Sequence, residues 1–176
     1  MLPISGSVLE VASGTGEHIT FFAEKFSGLQ FQPSDIDPKA QQSINAWISY
    51  LQLPNVSAPL PLDATDAQWP ALQFDAVLNM NMAHISPWEA SLGLFRNAAK
   101  VLRRGGLLFI YGPFRVNQRH TAPSNESFDQ SLRERNPLWG IRDLGAMEEA
   151  AAKEGLTLER TVTMPANNFS LVFYCR

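Results

Sequence analysis

Cysteine is almost absent. The one thiol among 176 residues, Cys175, lies next to the C-terminus, so neither an intrachain disulfide nor a cysteine-based metal cluster can form. No run of Lys or Arg stands out and the formal net charge is -3, so bulk electrostatics does not favour nucleic acid or an anionic membrane as a partner. No stretch approaches the roughly 18 apolar residues of a membrane span. The opening "MLPISGSVLEVA" lacks a basic segment leading into a long apolar one. Repeats and low-complexity segments are missing too. What remains is an ordinary globular composition, 45% apolar and 18% charged. The expectation is a soluble cytoplasmic protein in which residues 1–176 form a single domain.

What the chain does have is alternation of apolar runs with helical patterns. "SVLEVA" reads as a first strand, followed by a helix with Ile19, Phe22, Ala23 and Phe26 on one face and Gly28 as its stop. "LQFQPS" is a second strand, and Asp37-Pro38 has the chemistry of a helix start ahead of Ile44, Trp47, Ile48 and Leu51. "VSAPLPL" is a third strand, broken by proline and placed near an edge. "FDAVLNMNM" is the fourth. A helix then starts at Ser86-Pro87 with Leu92, Phe95, Ala99 and Leu102 as its stripe. Arg103 and Arg104 suit its negative end, and Gly105-Gly106 stops it. "LLFIYG" is the fifth strand. After a long polar segment come a helix at about 141–154 and strands near 156–163 and 169–175. The last two are joined only by "MPANN", too short for a parallel crossover, so they pair as an antiparallel hairpin. The expected fold is α/β and doubly wound: a seven-stranded, mostly parallel sheet with the last strand antiparallel and ligands at the carboxyl ends of the strands.

"VLEVASGTGEH" is the informative stretch. A dinucleotide fold wants G-x-G-x-x-G after its first strand. Here Gly14-Thr15-Gly16 has no third glycine, which disfavours a nicotinamide-dependent oxidoreductase. The strand also carries Glu10, an acid that costs several kcal/mol to bury unless paired. A strand acid followed by G-x-G resembles the class I S-adenosylmethionine-dependent methyltransferases. The resemblance implies that Glu10 points into the pocket near the cofactor's amino-acid end, and that the glycines permit close backbone approach. Asp35, 19 residues after Gly16, sits where an acid takes a ribose diol. Asp63 would sit beside the adenine amine, with Ala64 offering backbone contacts. The cofactor-binding set is then Glu10, Ala12, Ser13, Gly14, Gly16, Asp35, Ile36, Asp63, Ala64 and Asn79, with no metal. Each acid has a plainer reading: Glu10 on an edge strand, Asp35 as a helix cap, Asp63 in a turn.

The segments "LEVASGTGEH", "QPSDID", "NMAHISP", "YGPF", "SNESFDQSLRERNPLWGIRD" and "MPANN" together resemble the methyltransferase-like protein 26 family, from about residue 8 onward. Members usually carry an Asn/Arg-rich stretch with a helix before the first strand. This chain starts almost at the strand, so the expectation is a less fully covered cofactor pocket. The resemblance names no acceptor.

Candidates for chemistry lie after the fourth and fifth strands. His84 could take a proton from a hydroxyl or amine acceptor, or be a structural histidine bonded to backbone. Asn81 and Asn79 share a strand face and could orient an acceptor or the methionine moiety. Catalytic roles fall to His84 and Asn81. Residues 115–140 are too long for a plain connection and form a lid or acceptor platform through Asn125, Asp129, Arg133 and Trp139, with Phe128 and Leu132 turned inward. Asn167 and Asn168 in the final hairpin complete the acceptor side, where Asn-Asn is also ordinary turn chemistry. No Asn-Pro-Pro-Tyr-like element follows the fourth strand, which argues against methylation of nucleobase or glutamine amides. The reading is a methyltransferase that uses S-adenosylmethionine, releases S-adenosylhomocysteine, and acts on a small polar or protein acceptor. The alternative is a non-catalytic module that binds the cofactor and acts through partners. A homodimer is compatible with either.

Overall fold

The computed structural model describes residues 2–176. In chain order the elements are β1 (Gly6–Val11), α1 (Glu17–Lys25), β2 (Leu29–Ser34), α2 (Pro38–Leu51), β3 (Phe74–Met80), α3 (Trp88–Val101) and β4 (Leu102–Gly112). They continue with β5 (Phe114–Arg115), α4 (Pro123–Arg135), β6 (Arg142–Asp143), α5 (Leu144–Lys153), β7 (Leu156–Met164) and β8 (Asn168–Cys175). The main sheet runs β2-β1-β3-β4-β8-β7, and β5 pairs with β6 apart from it. β2, β1, β3 and β4 are parallel, and β8 is antiparallel to both β4 and β7. The last strand is thus the antiparallel one, as the short hairpin connection requires. This is a Rossmann-like α/β fold.

The sheet has six strands, not seven. The "VSAPLPL" segment does lie beside β2 at the edge, but it pairs only through isolated parallel bridges, Phe31 with Val56 and Ser34 with Leu60. Pro59 and Pro61 have no N–H to give a ladder, so the pairing cannot propagate. The bonds that survive are short ones: Phe31 N–H to Asn55 O at 2.8 Å, Ser57 N–H to Phe31 O at 2.9 Å and Leu60 N–H to Pro33 O at 3.0 Å.

Other local expectations also shift. Asp37 caps α2, its carboxylate accepting Lys39 N–H at 2.9 Å with Pro38 in the first turn. Ser86 does not cap α3. Its hydroxyl donates to Met82 O at 2.8 Å, and Pro87 precedes the helix. α3 ends at Val101, so Arg103 and Arg104 lie in β4. The register there shifts between Phe74 and Ala76, with Gly105 at φ 79°. Arg103 pairs with Asp75 at 3.0 Å instead of answering a helix end. Leu92 and Trp47 are exposed, at 38% each.

Helices cover both faces of the sheet. On one face Val8, Ala76, Leu107 and Val172 pack with Ile19 and Ala23 of α1. On the other, Leu9, Val77, Leu108 and Leu171 pack with Phe95 and Ala98 of α3 and Met147 of α5. The alternation along each strand that produces this is the period-2 geometry of the pleat. Among the described residues no helix is long and apolar enough to cross a membrane.

Gly93 fixes the loop that leads out of the broken edge strand. It lies in the middle of α3, and a Cβ there would run into the Ala64 carbonyl oxygen. Gly→Ala in an ordinary helix interior stabilises by about 1 kcal/mol. Gly93→Ala is expected to destabilise by about 2 kcal/mol instead, because backbone must move. Urea unfolding reads this directly, and unchanged or higher stability would show that the loop does not bear on α3.

Candidate functional site

The carboxyl ends of β1, β2 and β3 open into a cleft of about 440 Å³. The chain leaves β1 through three left-handed residues, Ala12 (φ 58°), Gly14 (φ 57°) and Gly16 (φ 92°), which bend it sharply into α1. Ala12 and Gly14 line the cleft, with open space where a Gly14 Cβ would be. Gly16 serves packing: a Cβ there would lie 3.1 Å from the Ile44 side chain of α2. The close neighbour that Gly16 accommodates is a protein side chain.

Asp35, Ile36, Asp63 and Ala64 form another part of the wall. Asp35 accepts Gly14 N–H at 2.8 Å on one oxygen and Asp37 N–H at 2.9 Å on the other, tying the glycine loop to the end of β2. A carboxylate has about four acceptor sites, so each oxygen keeps a free lone pair. Asp63 accepts the Thr65 N–H at 2.7 Å and hydroxyl at 2.8 Å on Oδ1, which is turn chemistry; Oδ2 makes neither bond. The floor is apolar, with Met80, Met82 and Ala90, which the sequence reading does not single out.

Glu10 lies behind this wall and does not line it. It is 0% exposed, and neither carboxyl oxygen has a hydrogen-bond partner. The neighbouring polar groups serve the backbone. Ser34 hydroxyl donates to Glu10 main-chain O at 2.7 Å, and Ser13 hydroxyl approaches the same atom at 3.4 Å. Asn79, also fully buried, donates to Val11 O at 3.0 Å and leaves its Oδ1 unpartnered. Burial, the largest cause, pushes the Glu10 carboxyl up to about 7.

A second cavity, of about 460 Å³, opens on the other side of the turn after β3. It gathers Asn81, His84, Asn125, Asn167 and Asn168, five of the residues singled out in the sequence, with Phe128 on its wall. β3 ends at Met80, and Asn81 sits beyond it with φ 65°, so Asn79 and Asn81 do not share a strand face. His84 is 4% exposed and its ring packs edge-on to Phe128 at 5.5 Å. Burial, with the Arg142 and Arg135 charges, pushes its pKa down to about 4, so the imidazole is neutral. Gly112 makes room for it: a Cβ there would lie 3.1 Å from His84 Nδ1.

Three acceptor-side residues lie elsewhere. Asp129 accepts Ile141 N–H at 2.6 Å and Arg133 Nε–H at 3.0 Å, clamping α4 to the segment after it. Trp139 is half-buried under the Arg135 guanidinium at 5.7 Å. Leu132 is buried as expected, whereas Phe128 is 37% exposed. Arg142, which the sequence reading quotes within "WGIRD" but gives no role, donates to Ala83 O at 2.8 Å, to Ser86 O, and to Leu138 O at 3.1 Å. It pins the turn that separates the two cavities. The "WGIRD" pattern marks the arginine, but not its role, because the Ala83 and Ser86 carbonyls it holds are distant in the chain.

The fold is shared with solved methyltransferases. The mitomycin 7-O-methyltransferase MmcR matches at TM-score 0.84 and 15% identity, over 98% of this chain and 49% of its own. CalO1, a methyltransferase of calicheamicin biosynthesis solved with S-adenosylhomocysteine, matches at 0.81 and 17%, over 99% and 50%. An O-methyltransferase family protein from Burkholderia thailandensis matches at 0.85 and 17%, over 98% and 52%. The chain therefore spans about half the length of these proteins. Within that fold class the family is defined by sequence. Residues 1–175 match the model of the family described as "Protein of unknown function (DUF938)", and the chain belongs to that family.

Glu10 and His84 pull stability in opposite directions with pH. As pH rises from 4.5 to about 7, the unfolded chain gives up the Glu10 proton while the folded chain keeps it. Folding thus loses about 3 kcal/mol over that window. His84 loses stability in the other direction, as pH falls from 6.5 to about 4. The two contributions offset each other in the wild type. Glu10→Gln is expected to steepen the acid-side loss, and His84→Gln to expose a decline toward neutral pH. Urea unfolding at pH 5 and pH 7 separates them; identical slopes in all three proteins would contradict the assignment.

Proposed function

We propose that the chain is an S-adenosylmethionine-dependent methyltransferase acting on a small polar acceptor, and that its closer likeness is to the methyltransferase-like protein 26 family. The observation that carries this reading is the cleft at the carboxyl ends of β1, β2 and β3, where Asp35 keeps a free lone pair on each oxygen and the partnerless Glu10 carboxyl lies just behind the wall. A buried carboxyl that the protein leaves unanswered suits a ligand that brings a cation. The donor set fits the rest of such a ligand. Asp35 has lone pairs for a ribose diol, Asp63 Oδ2 can accept from an adenine amine, and Ile36, Met80 and Met82 offer apolar contact to a flat ring. Bound there, S-adenosylmethionine would supply an electrophilic methyl group on a sulfonium centre.

The chain's own contribution is alignment and exclusion of water. The neutral His84 ring can accept a hydrogen bond from an acceptor hydroxyl and fix its direction. With its pKa near 4 it is too weak a base to hold the proton at neutral pH, so its role is orientation. Residues 115–140, with α4 at their centre, cover the acceptor side. The same weak base favours a second reading, a non-catalytic module that binds cofactor or product and acts through partners.

Calorimetric titration with S-adenosylmethionine and S-adenosylhomocysteine tests the cofactor reading. Micromolar binding is expected, weakened at least tenfold by Glu10→Gln. At pH 6.5 binding to the wild type should release a fraction of a proton, seen as a dependence of the heat on buffer ionisation. Glu10→Gln should remove that dependence. No binding by a folded chain overturns the proposal, and turnover of any acceptor eliminates the second reading.

A further inference from the structure

The cavity beside His84 is chemically one-sided. No Asp, Glu, Lys or Arg lines it. Two of its four asparagines, Asn125 and Asn168, have their amide N–H groups committed to the protein, whereas the Asn81 side chain caps nothing. Asn125 Nδ2 donates to Asn167 O at 3.1 Å and to Thr121 Oγ1 at 3.2 Å. Asn168 Nδ2 donates to Tyr111 Oη at 3.0 Å and to Pro165 O at 3.3 Å. Asn167 Nδ2 approaches Ser124 Oγ at 3.5 Å. Main-chain carbonyls can only accept, so the orientations of the Asn125 and Asn168 amides are fixed by their partners. Their Oδ1 atoms are left as the free polar groups. The wall therefore presents the Asn125 and Asn168 acceptors and the neutral donors of Asn81 and Ser124, together with the uncharged His84 ring and the apolar edge of Phe128.

We infer that this cavity holds the methyl acceptor and selects an uncharged molecule rich in hydrogen-bond donors, hydroxyls above all, over carboxylates, phosphates and ammonium ions. An anion would meet only neutral donors, because Arg142 is committed to the carbonyls of Ala83, Ser86 and Leu138 and does not line the cavity. A cation would lose hydration with no carboxylate on the wall to replace it. A hydroxyl donates to an amide oxygen and costs far less to desolvate. The cavity is also of a size for a small molecule. The inference rests on the methyltransferase reading for what happens to the ligand, while binding itself can be observed without cofactor.

The test uses three probes of similar size on the purified chain, resorcinol, benzoate and benzylammonium, with the His84 ring proton followed by NMR. His84→Gln assigns that resonance. A saturable shift with resorcinol is expected, with benzoate and benzylammonium at least tenfold weaker. Asn81→Asp, at a side chain that caps nothing and a backbone angle Asp tolerates, should raise benzylammonium affinity at least tenfold. Benzoate or benzylammonium binding the wild type as well as resorcinol overturns the inference, as does the absence of any saturable shift. The wild-type probes decide even if Asn81→Asp does not fold. In the same samples S-adenosylhomocysteine is followed at the Gly14 and Ala64 amides. Silence there with a resorcinol response at His84 sinks the cofactor reading alone; the reverse sinks this one.

Discussion

A carboxyl with no partner, closed off from water near the carboxyl end of β1, constrains the groups around it. It cannot relax by rotating into solvent, because the backbone beside it is held on both sides. Ser34 and Ser13 engage the Glu10 carbonyl and Asn79 engages that of Val11. These polar side chains fix the strand and leave both Glu10 carboxyl oxygens without a hydrogen bond. The result is a rigid frame around an unanswered group, with the free energy of its ionisation stored until a ligand or a proton arrives. Stability, protonation and ligand binding are then coupled through one side chain.

The two cavities share a wall but not a chemistry. Met80, Met82 and Ile85 face the cleft, while Asn81 and His84 face the second cavity, so the turn alternates between them residue by residue. The acids lie on or behind the first, and the second is uncharged. Arg142 holds the carbonyls of this turn from outside, donating to Ala83 and Ser86. A guanidinium bound by several carbonyls is planar and stiff, which suits a partition whose two faces must keep register. Its charge also helps keep His84 neutral, so the same residue sets both the geometry and the protonation of the turn.

Local chemistry was legible in the sequence; contacts between distant segments were not. Asp37 before Pro38 reads as a cap and is one, because capping involves neighbours two residues apart. The hairpin at "MPANN" reads correctly for the same reason. The third strand fails since prolines remove the donors that its apolar pattern presupposes. Arg103 and Arg104 look like a helix end because Gly105-Gly106 looks like a stop. The register shift that places them in β4 arises from pairing with Phe74, nearly thirty positions away in the sequence. Gly16 reads as room for a ligand's close approach, yet the structure has it yielding to Ile44. Of the acceptor-side set, the asparagines converge and Asp129 with Arg133 do not. A carboxylate and a guanidinium at i and i+4 on one helix answer each other first.

Four of the seven described non-glycine residues with positive φ lie at the two cavities, the others being Gln52, Asn117 and Gln118. Non-glycine residues with positive φ include Ala12 on the cleft and Asn81, Ala166 and Asn167 around the second cavity. Asparagine enters this region at modest cost, whereas alanine has no side chain to compensate and loses about 1 to 2 kcal/mol. Ala12 and Ala166 therefore persist only because the surrounding structure holds them there. At Ala12 the holding bond is Ser13 N–H to Ser34 O at 2.8 Å; near Ala166 it is Asn125 reaching the Asn167 carbonyl. Each strained turn is thus tied to an element that also contributes a ligand-facing group. Relaxing either turn would move the wall it belongs to, which makes the strain a condition of the geometry at both cavities.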